Sequence, residues 1–466
     1  MADRILCSLL LAGVLAASVP ALGQDTAQKT AEGLVRAALA DDWSYRFLDS
    51  LTTDIGPRLA GTEAEARAAE WAEAELKAAG LEVHTESFPI TAWLRGTETA
   101  AVVSPMPQRL VLTALGGSVA TPLGGIEAEI VLFRSYAALL AAPPGSLEGK
   151  IAVVTEHTVR TADGMGYGLA NPIRRQGPSE AAKRGAVAYL HRSLGTDSHR
   201  LAHAGQVNYD QTIQKIPAAA LSNPDADLLE RLSAKGPVRI HVTLTPTFDE
   251  KATAITVVGE VKGREKPDEI VLIGAHLDSW DLGTGAIDDG AGDAIVSGVG
   301  RLIAALPLHP KRTVRVVLFG AEEMDYSAAA YEKAHASEAQ KIVVAGEADF
   351  GARRAFAMRL PAGAVASPFG RSVGALLPPL GVLLLRDPPQ HAGSDLAGLS
   401  HDGVPTFGIQ QNGWDYFDVH HTADDTFDKV DAAELAQNVA VWAGVTYLAA
   451  ETDVDFRALT KTAAKP

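Results

Sequence analysis

At 466 residues the chain is too long for one ordinary core and suits two domains, or one large α/β domain carrying an insertion. Hydrophobic residues at 47% and charged residues at 21% are the balance of a folded globular protein, so disorder is not the default. The formal charge of −16 leaves no surplus of Lys and Arg to neutralise phosphates, and neither nucleic acid nor an anionic membrane surface is an expected partner.

Residues 1–23 read as a secretory leader: Arg4, a mostly apolar run over 5–19, then small residues suited to cleavage after Ala21 or Gly23. The run is too short for a membrane span with anchoring flanks, so export to the periplasm or the medium is expected. Cys7, the single cysteine, stands near the start of that run, the wrong end for a lipid-bearing cysteine. The mature chain then has no thiol, and any metal must be held by His and carboxylates.

The pattern over 62–79 predicts a helix. Thr62 and Glu65 make a capping-box pair, Ala68, Trp71, Ala72 and Leu76 mark one apolar face, and Gly80 supplies the stop. The alternating run 81–88 predicts a strand. We read residues 24–120 as the N-terminal part of a catalytic domain whose remainder is 248–466.

Between them, over 121–247, the texture changes to short apolar strands separated by Gly and Pro, at 130–133, 151–154, 186–190 and 238–244, with a helix at 179–184. No ligand-type residue before Ala254 is needed for the metal set described next, so the segment looks like an inserted module. Gly149-Lys150-Ile151-Ala152-Val153-Val154, Glu180-Ala181-Ala182-Lys183-Arg184-Gly185-Ala186 and Ile216-Pro217-Ala218-Ala219-Ala220 resemble a β-rich protease-associated domain, with a plain lid or spacer as the other reading.

From Ala254 onward the pattern is α/β. The runs 270–273, 314–319, 342–344 and 404–409 are nearly continuous, as in strands buried on both faces. Helices are predicted over 292–306 and 432–450, the latter capped by Asp431.

In an open α/β sheet the loops after the strands converge on one crevice. His276 follows the first of these strands, Glu322 and Glu323 the second, Asp349 the third and His421 the fourth, with Asp288 on a Gly-rich turn into a helix. Asp278, two residues after His276, is placed to orient its ring. Adjacent acids after a buried strand repel unless a cation compensates one of them. Glu323 then serves as a ligand, and Glu322 as the base that takes a proton from water and passes it to the leaving amine. Taken singly the signals are weak: His-x-Asp and Asp288-Asp289-Gly290 also occur as caps, and Glu347 and His420 rival Asp349 and His421.

Asp54-Ile55-Gly56-Pro57-Arg58-Leu59-Ala60-Gly61-Thr62, Gly274-Ala275-His276-Leu277-Asp278-Ser279-Trp280-Asp281, Gly285-Ala286-Ile287-Asp288-Asp289-Gly290 and Asp415-Tyr416-Phe417-Asp418-Val419-His420-His421-Thr422 together resemble the M28 family of metallopeptidases, most closely the carboxypeptidase Q branch. The resemblance implies a zinc-exopeptidase-like α/β fold, a mixed sheet flanked by helices with an inserted β-rich domain. It implies two zinc ions, or manganese or cobalt in their place. His276 and Asp349 would hold one ion and Glu323 and His421 the other, with Asp288 bridging and Glu322 as general base. It favours His421 over His420, because the family's ligand His directly precedes Ser or Thr. One departure stands out: where the family usually has a Gly-containing run after the paired acids, this chain has Met324-Asp325-Tyr326-Ser327, and the extra carboxylate bears on the local turn and the pocket.

The expected protein is thus an exported dinuclear zinc exopeptidase acting on dipeptides or on the ends of short peptides, with a homodimer left open. Two rivals are a single-zinc enzyme resembling glutaminyl cyclases and a catalytically silent peptide-binding protein of the same fold.

Overall fold

The computed structural model describes residues 19–463. The expected leader, residues 1–23, lies outside the described residues as far as Ser18. Among the described residues no helix is long and apolar enough to cross a membrane.

The helix Glu63–Ala78 starts at its predicted cap, where the Thr62 hydroxyl accepts the Glu65 N–H. The return bond differs from a capping box: Glu65 takes the N–H of Gly61 at 2.8 Å with one carboxylate oxygen and that of Ile255 at 2.9 Å with the other. One side chain therefore ties the helix start to the central sheet. Ala68, Ala72 and Leu76 bury the predicted face, Trp71 is partly buried beside it, and Gly80 turns the chain at φ +94°, open to a residue without a Cβ.

That central sheet has five strands: β1 (Glu82–Pro89), β2 (Thr253–Val261), β3 (Lys266–His276), β4 (Arg312–Phe319) and β5 (Ile342–Glu347), in the order β1-β2-β4-β3-β5. β1, β2 and β4 pair antiparallel, whereas β4, β3 and β5 run parallel. Helices Ala291–Ala304 and Ala432–Glu451 contribute Ile295, Val299, Val439 and Trp442 to a core shared with Val271, Val316 and Val344. Every residue of β4 is buried, even Arg315, whose guanidinium is paired with Glu260 at 2.7 Å. The parallel register brings the carboxyl ends of β3, β4 and β5 to one edge, so the loops that follow them are neighbours.

The predicted strand at 404–409 is split. Thr406 bridges Ala345 in parallel, while the regular strand, Gly408–Gln411, belongs to a three-stranded sheet with Ala355–Arg359 and Leu383–Leu385. Pro405 lends its carbonyl to the Ala345 N–H but has no N–H to extend a ladder.

A second sheet of eight strands is drawn from the chain between Glu98 and Leu244. Its first strand, Glu98–Ser104, lies upstream of residue 121, and Ile126–Phe133, Ile151–Val154, Ala188–Arg192 and Ala218–Leu221 pair parallel in succession. The helix Met165–Arg175 faces the C-terminal half from this unit, with Gly164 at its start packed on Phe350 and Phe417.

Candidate metal centre

Each expected site residue sits at the parallel edge. His276 closes β3, Glu322 and Glu323 lie in the turn after β4, Asp349 follows β5, and Asp288 stands before the helix Ala291–Ala304. His421 ends the loop that contains Tyr416–Val419 and takes φ +60°.

The side chains meet. His276 Nε2 is 3.3 Å from Asp288 Oδ1, 3.7 Å from Asp349 Oδ1 and 3.9 Å from Glu322 Oε2. The other oxygen of Asp288 is 3.1 Å from His421 Nε2, which is also 3.1 Å from Glu323 Oε2. Asp288 therefore spans two imidazoles, one oxygen to each.

His420 also reaches this point, with Nε2 3.3 Å from Asp288 Oδ2 and its ring stacked on His421 at 3.6 Å. Proximity alone offers two ligand groups, His276-Asp288-Asp349 and Asp288-His420-His421, and leaves Glu323 out. Hydrogen bonding separates the two histidines. An imidazole that ligates through one nitrogen ordinarily donates from the other to a carbonyl or carboxylate. His421 Nδ1 has the Ala204 carbonyl at 3.3 Å, whereas His420 Nδ1 is buried without a partner. Arg174 Nη1, a donor, lies at the same 3.3 Å from His421 Nδ1 as the Ala204 carbonyl, so these partners hold the ring without fixing its tautomer, and Glu323, 3.1 Å from His421 Nε2, is what sets this histidine apart. On that ground we weight Glu323 and His421 above His420.

Asp278 meets both His276, whose proton affinity it raises against burial, and the paired acids. The nearer partner of His276 Nδ1 is the Asp278 backbone carbonyl at 3.0 Å, with the carboxylate at 3.6 Å. The carboxylate also accepts the N–H of Glu322 at 3.0 Å and of Glu323 at 3.3 Å, and so holds the paired acids in place.

Three supporting residues were not singled out from the sequence. Asp425 accepts the N–H groups of Ile287 and Asp288, and Asp289 accepts those of His276 at 3.2 Å and Gly292 at 3.1 Å. Arg58, fully buried, donates to the carbonyls of Leu277, Thr284 and Gly285. It thereby ties the end of β3 to the turn that precedes Asp288. The Gly-Pro-Arg motif and the acids following His421 carried the signal, but not the partners.

The electrostatics call for cations. Burial pushes Glu323 and Asp349 well above the ordinary carboxylate range, and the charge of Asp288 adds to it in both. Glu322 is raised in the same way, by burial and then by Asp278 and Asp288 against the pull of His276. Asp288 alone is held well below that range, because His420, His276 and His421 outweigh its burial. Asp288 Oδ2 and Glu323 Oε1 are buried and accept no hydrogen bond. The orphaned Asp288 oxygen faces the Nε2 atoms of His420 and His421, and buried carboxylates and imidazoles so gathered fit a divalent cation of the zinc, manganese or cobalt type. A small cavity of about 10 Å³ lies at the centre, lined among others by Asp288, Glu323, His421 and Trp280, and a cavity of about 230 Å³, lined among others by Ile287, Phe350, Tyr416 and Val419, holds none of these ligands. A slightly larger one, about 250 Å³, lies between Ala38–Tyr45 and the helix Ala432–Glu451 and holds none of these ligands.

The eight-stranded unit touches the centre directly. The Ala204 N–H donates to the His421 carbonyl at 2.9 Å, and Arg160 grips Asp418 in the same loop at 2.6 Å.

Residues 256–446 match the profile of peptidase family M28. Carboxypeptidase Q of Bos taurus is 33% identical over 417 residues, covering 89% of this chain and 86% of that protein, and the Homo sapiens protein is 32% identical over 419 residues with 89% and 86% covered. The crystal structure of a peptidase M28 precursor from Shewanella amazonensis SB2B superposes with a TM-score of 0.90 at 44% identity, covering 93% of this chain and 98% of that one. BSAP, a zinc aminopeptidase from Bacillus subtilis, shares the fold at a TM-score of 0.64 and 19% identity, with 88% and 95% covered.

Proposed function

The chain belongs to peptidase family M28 and is a metallopeptidase; from that premise we propose an exported dinuclear zinc exopeptidase that hydrolyses dipeptides or trims the ends of short peptides. The observation that carries the reading is the Asp288 carboxylate, 3.3 Å from His276 with one oxygen and 3.1 Å from His421 with the other. His276 and Asp349 flank one oxygen and Glu323 and His421 the other, so two ions sharing Asp288 suit the set better than one. When bound, such ions polarise a scissile carbonyl and lower the pKa of water toward neutrality.

The chain's own groups supply the rest. Glu322 is the acid of the pair that does not lie against His421, and burial has already raised its proton affinity toward that of a working base. It takes a proton from the attacking water and hands it to the leaving amine. Asp278 fixes its main chain, and Asp425 and Arg58 hold the loops on which Asp288 and His276 depend. The export part of the proposal rests on residues 1–23.

Related proteins carry the names carboxypeptidase and aminopeptidase, so the recognised end of the peptide is settled by assay. Purified protein is offered unblocked, N-blocked and C-blocked dipeptides, with and without a chelator, and its bound metal is counted. Hydrolysis abolished by chelation, with two ions per chain, is the expected result. One ion per chain with cyclisation of N-terminal glutamine would favour the cyclase-like reading, and neither metal nor turnover would favour a binding protein.

A further inference from the structure

The turn that presents Glu322 and Glu323 is closed by two backbone bonds, Asp325 N–H to the Glu322 carbonyl at 2.7 Å and Tyr326 N–H to the Ala321 carbonyl at 3.0 Å. Ala321 and Asp325 both stand in the left-handed region, at φ +64° and +62°, where a side chain is disfavoured. Glycine would make such a turn without strain, and this chain has an aspartate instead.

The Asp325 carboxylate has a partner from the other unit of the protein. Arg175, the last residue of the helix Met165–Arg175, meets it with both terminal nitrogens at 2.6 and 3.0 Å, the forked geometry of a strong charge-assisted pair. The preceding residue, Arg174, points the other way: buried, it donates to the Tyr167 hydroxyl at 2.6 Å and lies 3.3 Å from His421 Nδ1. Two successive arginines at one helix end thus touch both walls of the candidate centre. A mere spacer would need neither contact.

On the reading proposed above, we infer that Arg175 is a positioning residue of the peptidase site, contributed by the inserted unit, and that its ion pair with Asp325 holds the Glu322–Glu323 turn in register. The side chains of the pair are 28% and 42% exposed, so it adds little to global stability. Its loss leaves the protein folded and loosens only the turn. The extra carboxylate that sets this chain apart is, on this view, one half of a latch between the two units.

The test uses the full-length, metal-loaded protein with Arg175→Gln, Asp325→Asn and the double variant. Asparagine tolerates the left-handed conformation, so Asp325→Asn removes the charge and spares the turn. Each single change is expected to lower kcat about tenfold with KM and metal content unchanged, because small displacements of a catalytic group cost rate rather than binding. The double variant should be no worse than the poorer single one, since either change already breaks the pair. Amide hydrogen exchange over residues 321–326 should quicken in all three. A kcat equal to wild type in the single variants, or losses that multiply in the double, overturns the latch. Failure of the wild type to cleave any dipeptide or short peptide would instead sink the exopeptidase reading, and exchange at the turn then decides the latch alone, unchanged rates overturning it.

Discussion

The Asp425 carboxylate accepts the backbone N–H of Asp288 at 3.2 Å, and with its other oxygen that of Ile287 at 2.6 Å. The loop that carries His421 therefore grips the main chain of the carboxylate that faces both histidines. Asp425→Ala strands two buried N–H groups, at roughly 1–3 kcal/mol each, and frees Asp288 to move. Metal affinity is expected to fall about 10- to 100-fold, as is usual when a ligand loses its support. Competition with a chromophoric chelator measures it, and an unchanged affinity would deny Asp425 this role.

Glu322→Gln keeps the backbone bond to Asp278, the side-chain volume and the neighbouring ligand Glu323, and removes only the capacity to carry a proton. Turnover of a dipeptide should drop by about 10²-fold or more while the metal content stays at the wild-type value. Metal analysis and steady-state rates on the same preparation decide it. Near-normal turnover would assign the base elsewhere.

The sheet edge that gathers the site was legible because β3, β4 and β5 carry buried apolar runs, with a histidine or an acid at or shortly after each end. The caps at Thr62 and Asp431 were legible because a cap bonds within its own first turn. Arg58 and Asp425 bond to backbone groups 219 and 137 residues away, and no local spacing records such a partner. The His276-x-Asp278 spacing signalled a link but not its kind, since a side chain and a main-chain carbonyl two residues on can reach the same ring nitrogen. The departure at Asp325 was visible in the sequence, and the reason for it, Arg175, comes from 150 residues upstream.

His420 and His421 both face Asp288, and only His421 has a carbonyl behind its Nδ1 and Glu323 beside its Nε2. His421→Ala should lose one ion per chain together with hydrolysis. His420→Ala should keep both ions and lose far less activity, its ring serving to pack against Tyr416 and Phe417. Counting metal per chain in the two variants separates them, and the reverse pattern would make His420 the ligand.

The crowd of buried acids sets how the metal-stripped protein responds to pH. Burial raises Asp293 to about 8 and Glu65, Glu347 and Asp425 to about 7, against ordinary values of 3.8 and 4.5. Between those limits the folded state holds protons that the unfolded chain has released, so stability is lost as pH rises toward the folded values. His191, His203, His420 and His421 are lowered by burial and act in the opposite sense, but only below the ordinary histidine value of 6.5. Above pH 6.5 His276 and His335, raised against their burial by neighbouring carboxylates, act in the same sense as the acids. The Tm of chelated protein should therefore fall from pH 6.5 to about 8, while metal-loaded protein should gain stability relative to it, because ligand carboxylates give up their protons to bind a cation. A chelated Tm that rises with pH over the same range would mean that these acids are already ionised and compensated without metal.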